Sequence, residues 1–116
     1  MKRPKFERDT EELIVELKEL SNFENADIRW NVRSFKDTST YYLVVNLING
    51  KDLPEEDAEL KEIGQEAMKI VVNSIENENV FDKFRVVFEE VKQSGAVTRR
   101  NKIPFEYSLS DIAGED

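Results

Sequence analysis

The 116-residue chain contains no cysteine and no histidine, and only 4 glycines and 3 prolines. Without a thiol or an imidazole there is no disulfide, no zinc site of the usual kind, no cysteine nucleophile and no Ser-His-Asp triad. Long apolar runs are missing too, and nothing approaches the roughly 18 consecutive apolar residues of a membrane-spanning helix. Positive charge is in the minority, 17 Lys and Arg against 25 Asp and Glu, a net −8 at pH 7. That balance argues against nucleic acid as a partner, because binding to a phosphate backbone draws on clustered cations. The basic start Met1-Lys2-Arg3-Pro4-Lys5 has no apolar segment behind it, unlike a signal peptide. The expected location is the cytoplasm, with the cell envelope or periplasm as the alternative if an N-terminal signal has been trimmed.

The residues that are present suit a folded chain. Hydrophobic residues make up 39% and charged ones 36%, polar for a globular protein but too rich in Phe, Val, Leu and Ile for wholesale disorder. The length suits one domain over residues 1–116, since chains split at about 100 to 200 residues per domain. Residues 1–6 and 110–116 read as flexible tails.

Four periodic stretches organise the chain. Leu13, Leu17 and Leu20, with Asp9 and Glu12 as a capping signal, predict a helix over about 10–21. Ile28, Trp30 and Val32 alternate with polar residues, and Tyr41, Leu43, Val45 and Leu47 share one parity after Lys36-Asp37-Thr38-Ser39. The pattern is a hairpin in which a four-residue loop sets Ile28 opposite Leu47, Trp30 opposite Val45 and Val32 opposite Leu43. Trp30 is thereby expected in the core beneath the second helix. That helix is predicted from Asp52-Leu53-Pro54 to about Asn77, burying Leu60, Ile63, Ala67, Ile70, Val71 and Ser74 and exposing Glu55, Glu59, Glu62 and Glu66. A second hairpin turns at Ser94-Gly95, setting Phe84 opposite Phe105, Val86 opposite Ile103 and Glu89 opposite Arg100, with Pro104 on a free edge. The expected fold is α+β in two layers: helix, hairpin, helix, hairpin, with a four-stranded, mostly antiparallel sheet and two helices on one face. One helix on each face is the alternative.

Candidate chemistry is sparse. The acidic stripe of the long helix reads as a solvated face, with divalent-cation binding or mimicry of nucleic-acid charge as the sharper alternatives. Glu89, Glu90 and Glu106 are the only carboxylates placed for acid–base work, and a cross-strand pair with Arg100 explains Glu89 more simply. The basic cluster Arg99, Arg100 and Lys102, with Arg29 and Arg33, is read first as pairing with Glu89, Glu90 and other local acids, with binding of an anionic ligand or an acidic partner as the alternative. The remaining feature is the sheet parity opposite the core, which gathers Tyr42, Val44, Ile48, Val87 and Val91 with Arg29, Arg33 and Arg85. A solvated sheet face is more polar than that, and an apolar patch ringed by arginine has the composition of a protein interface.

The run Leu47-Ile48-Asn49-Gly50-Lys51-Asp52-Leu53-Pro54, then a long helix, then Asn79-Val80-Phe81-Asp82-Lys83-Phe84-Arg85-Val86-Val87-Phe88, resembles small uncharacterised proteins of Bacteroidetes type, some of them soluble parts of lipoproteins. The resemblance spans about residues 41–109, rests on structural punctuation, and implies no activity and no catalytic residue. The chain departs from a lipoprotein in having no anchoring cysteine.

The leading expectation is a non-enzymatic interaction domain without catalytic, cofactor or metal residues. Its partner is a protein or a second copy of the chain, as in a homodimer, met through the open sheet face or a sheet edge by Arg29, Arg33, Tyr42, Val44, Ile48, Arg85, Val87 and Val91. Neither nucleic acid nor membrane insertion is expected. Two alternatives stand: a small-ligand domain with a pocket near Trp30, Tyr41 and Tyr107, and an acidic inhibitor or immunity-type protein acting through its helix layer.

Overall fold

A computed structural model describes residues 3–113; residues 1–2 and 114–116, the outer ends of the two expected tails, lie outside the described residues. The order is α1 (Thr10–Lys18), β1 (Asn25–Phe35), β2 (Thr38–Ile48), α2 (Asp57–Val72), a 3-10 turn at Glu78–Val80, β3 (Lys83–Ser94), β4 (Val97–Tyr107) and α3 (Leu109–Ala113). The strands form one sheet in the order β1-β2-β3-β4. Each hairpin is antiparallel and the two central strands run parallel, so the α+β fold carries a mixed sheet.

Both hairpins keep the expected parity and slip by two residues from the expected register. Ile28 faces Val45 and Trp30 faces Leu43, while Phe84 faces Tyr107 and Val86 faces Phe105. The cause is the turns. Each strand pair stays in register up to Phe35↔Thr38 and Ser94↔Val97, which leaves two-residue loops, Lys36-Asp37 and Gly95-Ala96, opening on residues with φ of 56° and 61°. Loops of that kind match the right-handed strand twist; the first is two residues shorter than expected and the second lies one residue later. A slip of two residues returns every side chain to the same face, so the inward-facing set of each strand is unchanged.

That set packs as one core. Leu43, Val45 and Leu47 of β2 and Phe84, Val86 and Phe88 of β3 lie with Leu17 of α1, Leu60, Ala67, Met68 and Val71 of α2, and Ile112 of α3. Trp30 is not in its centre. It is half-buried on the edge strand β1, while α2 lies chiefly against β3 and β4, and α1 is the helix beside β1. Pro104 does sit on an edge strand, β4.

The helices are shorter than their periodicity. Asp9 caps α1 as expected, accepting from the Glu11 N–H at 2.9 Å, but the chain leaves the helix after Lys18 and turns through Asn22 at φ 51°. The Ser21 carbonyl then accepts from Lys51 N–H at 3.0 Å. Residues 52–56 stay outside α2, held by Asn22 donating to the Asp52 carboxylate. At its far end the Ser74 hydroxyl bonds back to Ile70 O at 2.8 Å, and the Ser74 carbonyl accepts from Glu7 N–H at 2.8 Å.

That last contact corrects the expected N-terminal tail. Residues 5–7 lie alongside 74–77 through Glu76 N–H on Lys5 O at 2.9 Å, Lys5 N–H on Asn77 Oδ1 at 2.8 Å and the bridge Phe6↔Ile75. The expected C-terminal tail is likewise helical from Leu109. Ser108 and Asp111 cap each other there, Ser108 N–H donating to Asp111 Oδ2 at 2.9 Å and Asp111 N–H donating to Ser108 Oγ at 3.2 Å. Hydrogen bonds from the Ser108 backbone and side chain hold the Asp111 carboxyl below its ordinary range.

Candidate functional site

The strands place a second set of side chains on the parity opposite the core. In register across the sheet, Arg29, Val44, Arg85 and Glu106 form one row, and Asp27, Asn46, Val87 and Pro104 the next. Ile48, Glu89 and Lys102 follow, then Val91 and Arg100. Every residue expected in the interaction patch stands on this face. Tyr42, Val44, Ile48, Arg85, Val87 and Val91 are half-buried, and Arg29 and Arg33 are exposed at the β1 edge.

Its most structured part surrounds Tyr42. The Arg33 guanidinium lies 5.5 Å from the ring centroid and the Arg85 guanidinium 5.2 Å, within cation–π range. Arg85 also donates to the Glu106 carboxylate on the neighbouring strand. The hydrogen bond from Arg85, and the charges of Arg85, Lys83 and Arg33, hold the Glu106 carboxyl below its ordinary value against the opposing effect of burial. One polar atom is left over: Arg85 Nε is buried with no hydrogen-bond partner among the described residues. Buried donors are normally satisfied, so this guanidinium has unused capacity.

The patch expected from sequence omitted Glu106, Lys83 and Lys102. The even parity of β4 and the odd parity of β3 would have added them. Arg29 is tied to Asp27 at 2.6 Å. Arg100 reaches Glu89 at 2.7 Å, diagonally rather than directly across, because the register has slipped. Glu90 lies 3.6 Å from Lys92. All three carboxylates considered for acid–base work thus lie within ion-pair reach of a cation.

The expected pocket near Trp30, Tyr41 and Tyr107 takes a different form. Tyr107 fills the space it was expected to line: it is buried, its hydroxyl donates to Lys61 O at 2.6 Å, and burial pushes its ionisation up to about 12. A cleft of about 600 Å³ opens instead between the 49–53 loop, the start of α2 and the β3–β4 hairpin. Leu53, Leu60, Phe88 and Ile103 give it an apolar floor, with Glu24 and Lys92 among its charged borders. Ile103 stays 44% exposed on the core parity because α2 begins only at Asp57.

Glu55, Glu59, Glu62 and Glu66 are exposed, as expected of a solvated stripe. Among the described residues no group of acids converges as a metal set, and no helix is long and apolar enough to cross a membrane. Comparison with protein-family models, with curated proteins and with solved structures found no match.

Proposed function

We propose that this chain is a non-enzymatic interaction domain, with the helices on one face of the sheet and the other face free to meet a protein partner. One observation carries the reading: two central strands present Tyr42, Val44, Ile48, Val87 and Val91 on the parity that the core does not use, bordered by arginines. Solvated sheet faces alternate to polar residues, and interfaces combine an apolar centre with Arg and Tyr. The charged rim supplies orientation and encounter rate more than affinity. The 600 Å³ cleft favours a second reading, a small-ligand domain binding an apolar molecule between Leu53 and Ile103.

The test compares two variants for a partner confirmed as direct with purified proteins. Val44→Lys with Val87→Lys abolishes capture under this reading, and Glu59→Gln with Glu62→Gln and Glu66→Gln leaves it intact. The opposite pattern would transfer the interaction to the acidic helix.

A further inference from the structure

The charges of the open face differ in sign from those of the whole chain. Its cations are Arg29, Arg33, Lys83, Arg85, Arg100 and Lys102. Its carboxylates are Asp27, Glu89 and Glu106, which gives six against three, a net of +3. The chain as a whole carries −8, so the remainder carries −11. An apolar stripe inside a positive rim, on an otherwise negative molecule, is complementary to a polypeptide that offers carboxylates beside aliphatic side chains. A second copy docked face to face would set +3 against +3, and like-charge juxtaposition is costly. A polyphosphate fits less well, since the face is apolar at its centre and a phosphate chain brings no aliphatic groups to cover it.

Resting on the interaction reading above, we propose that the face captures an acidic polypeptide segment, and that Glu106 occupies the carboxylate position of that segment until it arrives. Glu106 engages Arg85 from within the same sheet, while Arg33 and Arg85 flank Tyr42 on either side. Arg85 Nε lies buried beside that bond without a partner among the described residues, so Glu106 does not use the whole donor capacity of the guanidinium. An incoming carboxylate exchanges one ion pair for another at Arg85 and gains Arg33 as well, while its aliphatic neighbours cover Val44 and Val87. Binding is therefore weakened by the internal competitor and weakens further with salt.

The probe is a short fluorescein-labelled peptide of alternating Glu and Val, with its Lys-Val counterpart and an oligothymidylate of equal length as comparators. Anisotropy measures affinity and amide resonances of the full chain locate the contact. The expected result is that the acidic peptide shifts Val44 and Val87 and the Lys-Val peptide does not. Glu106→Gln then tightens binding about threefold or more, the scale of one exposed charge pair. Arg33→Gln weakens it about threefold and Arg85→Gln about tenfold, as for a hydrogen bond to a charged group. If Arg85→Gln does not fold, the other two variants decide. Equal shifts by both peptides would overturn the acidic specificity and leave the face as an interface. Unchanged or weaker binding by Glu106→Gln would overturn the competitor role, and tighter binding of the oligothymidylate would assign the face to nucleic acid. No shift by the acidic peptide overturns the inference, whereas the fate of the interaction reading is decided separately by capture with the Val44 and Val87 variants.

Discussion

Gly64 and Tyr107 lie so close that the absence of one side chain makes room for the other. A Cβ built on Gly64 would fall 2.4 Å from the Tyr107 hydroxyl, which is itself held on the Lys61 carbonyl one turn earlier in α2. Gly64→Ala gains up to about 1 kcal/mol of helix propensity, but it forces a rigid, buried ring to move, and overpacking of that kind costs about 1 to 3 kcal/mol. A net loss is expected in chemical denaturation, with part of it recovered when Tyr107→Phe removes the clashing oxygen. A stabilised Gly64→Ala would show that the contact is not made. Tyr107's place on the core parity was legible in the alternation of β4. The role of Gly64 was not, because the atom that excludes a side chain there belongs to a residue distant in sequence.

At the scale of elements, parity was readable and punctuation was not. The alternation over 28–32, 41–47, 84–88 and 103–109 identified the strands and sorted their faces, because a side-chain period of two leaves little choice. The length of the first turn and the position of the second escaped, since Lys36-Asp37 has no glycine to mark a positive φ and Gly95 was placed one position late in its two-residue loop. The parallel β2–β3 pairing is a non-local choice that alternation does not encode. Expected helix ends ran too far wherever a backbone group was claimed by a distant segment, as with Ser21 by Lys51 and Ser74 by Glu7. The C-terminal helix was missed although Ser108-Leu109-Ser110-Asp111 carries a capping-box signature. Its Ile112 is 1% exposed against the core. Ile112→Ala is therefore expected to cost about 2 to 5 kcal/mol, and a loss below about 1 kcal/mol would return residues 109–113 to the status of a tail.

For the molecule as a whole, the central claim is that one sheet carries a core on one parity and an uncovered, positively rimmed face on the other. The expected patch kept its face through the register slip of two, but left out Phe35 and Pro104, which the same parities of β1 and β4 carry. Its organisation around Tyr42 was not legible, since Arg33, Arg85 and Glu106 meet only once β1, β2, β3 and β4 are aligned. The most direct measurement is chemical denaturation of the chain carrying both Val44→Lys and Val87→Lys. On an uncovered face the lysine stems lie along the sheet with their heads in water, and the loss is limited to strand propensity, at most about 1 kcal/mol per site. A folded variant within that range is the expected result. A loss of more than about 4 kcal/mol, the size reached when charge is forced into a packed interior, would contradict it and show that this face is part of the core.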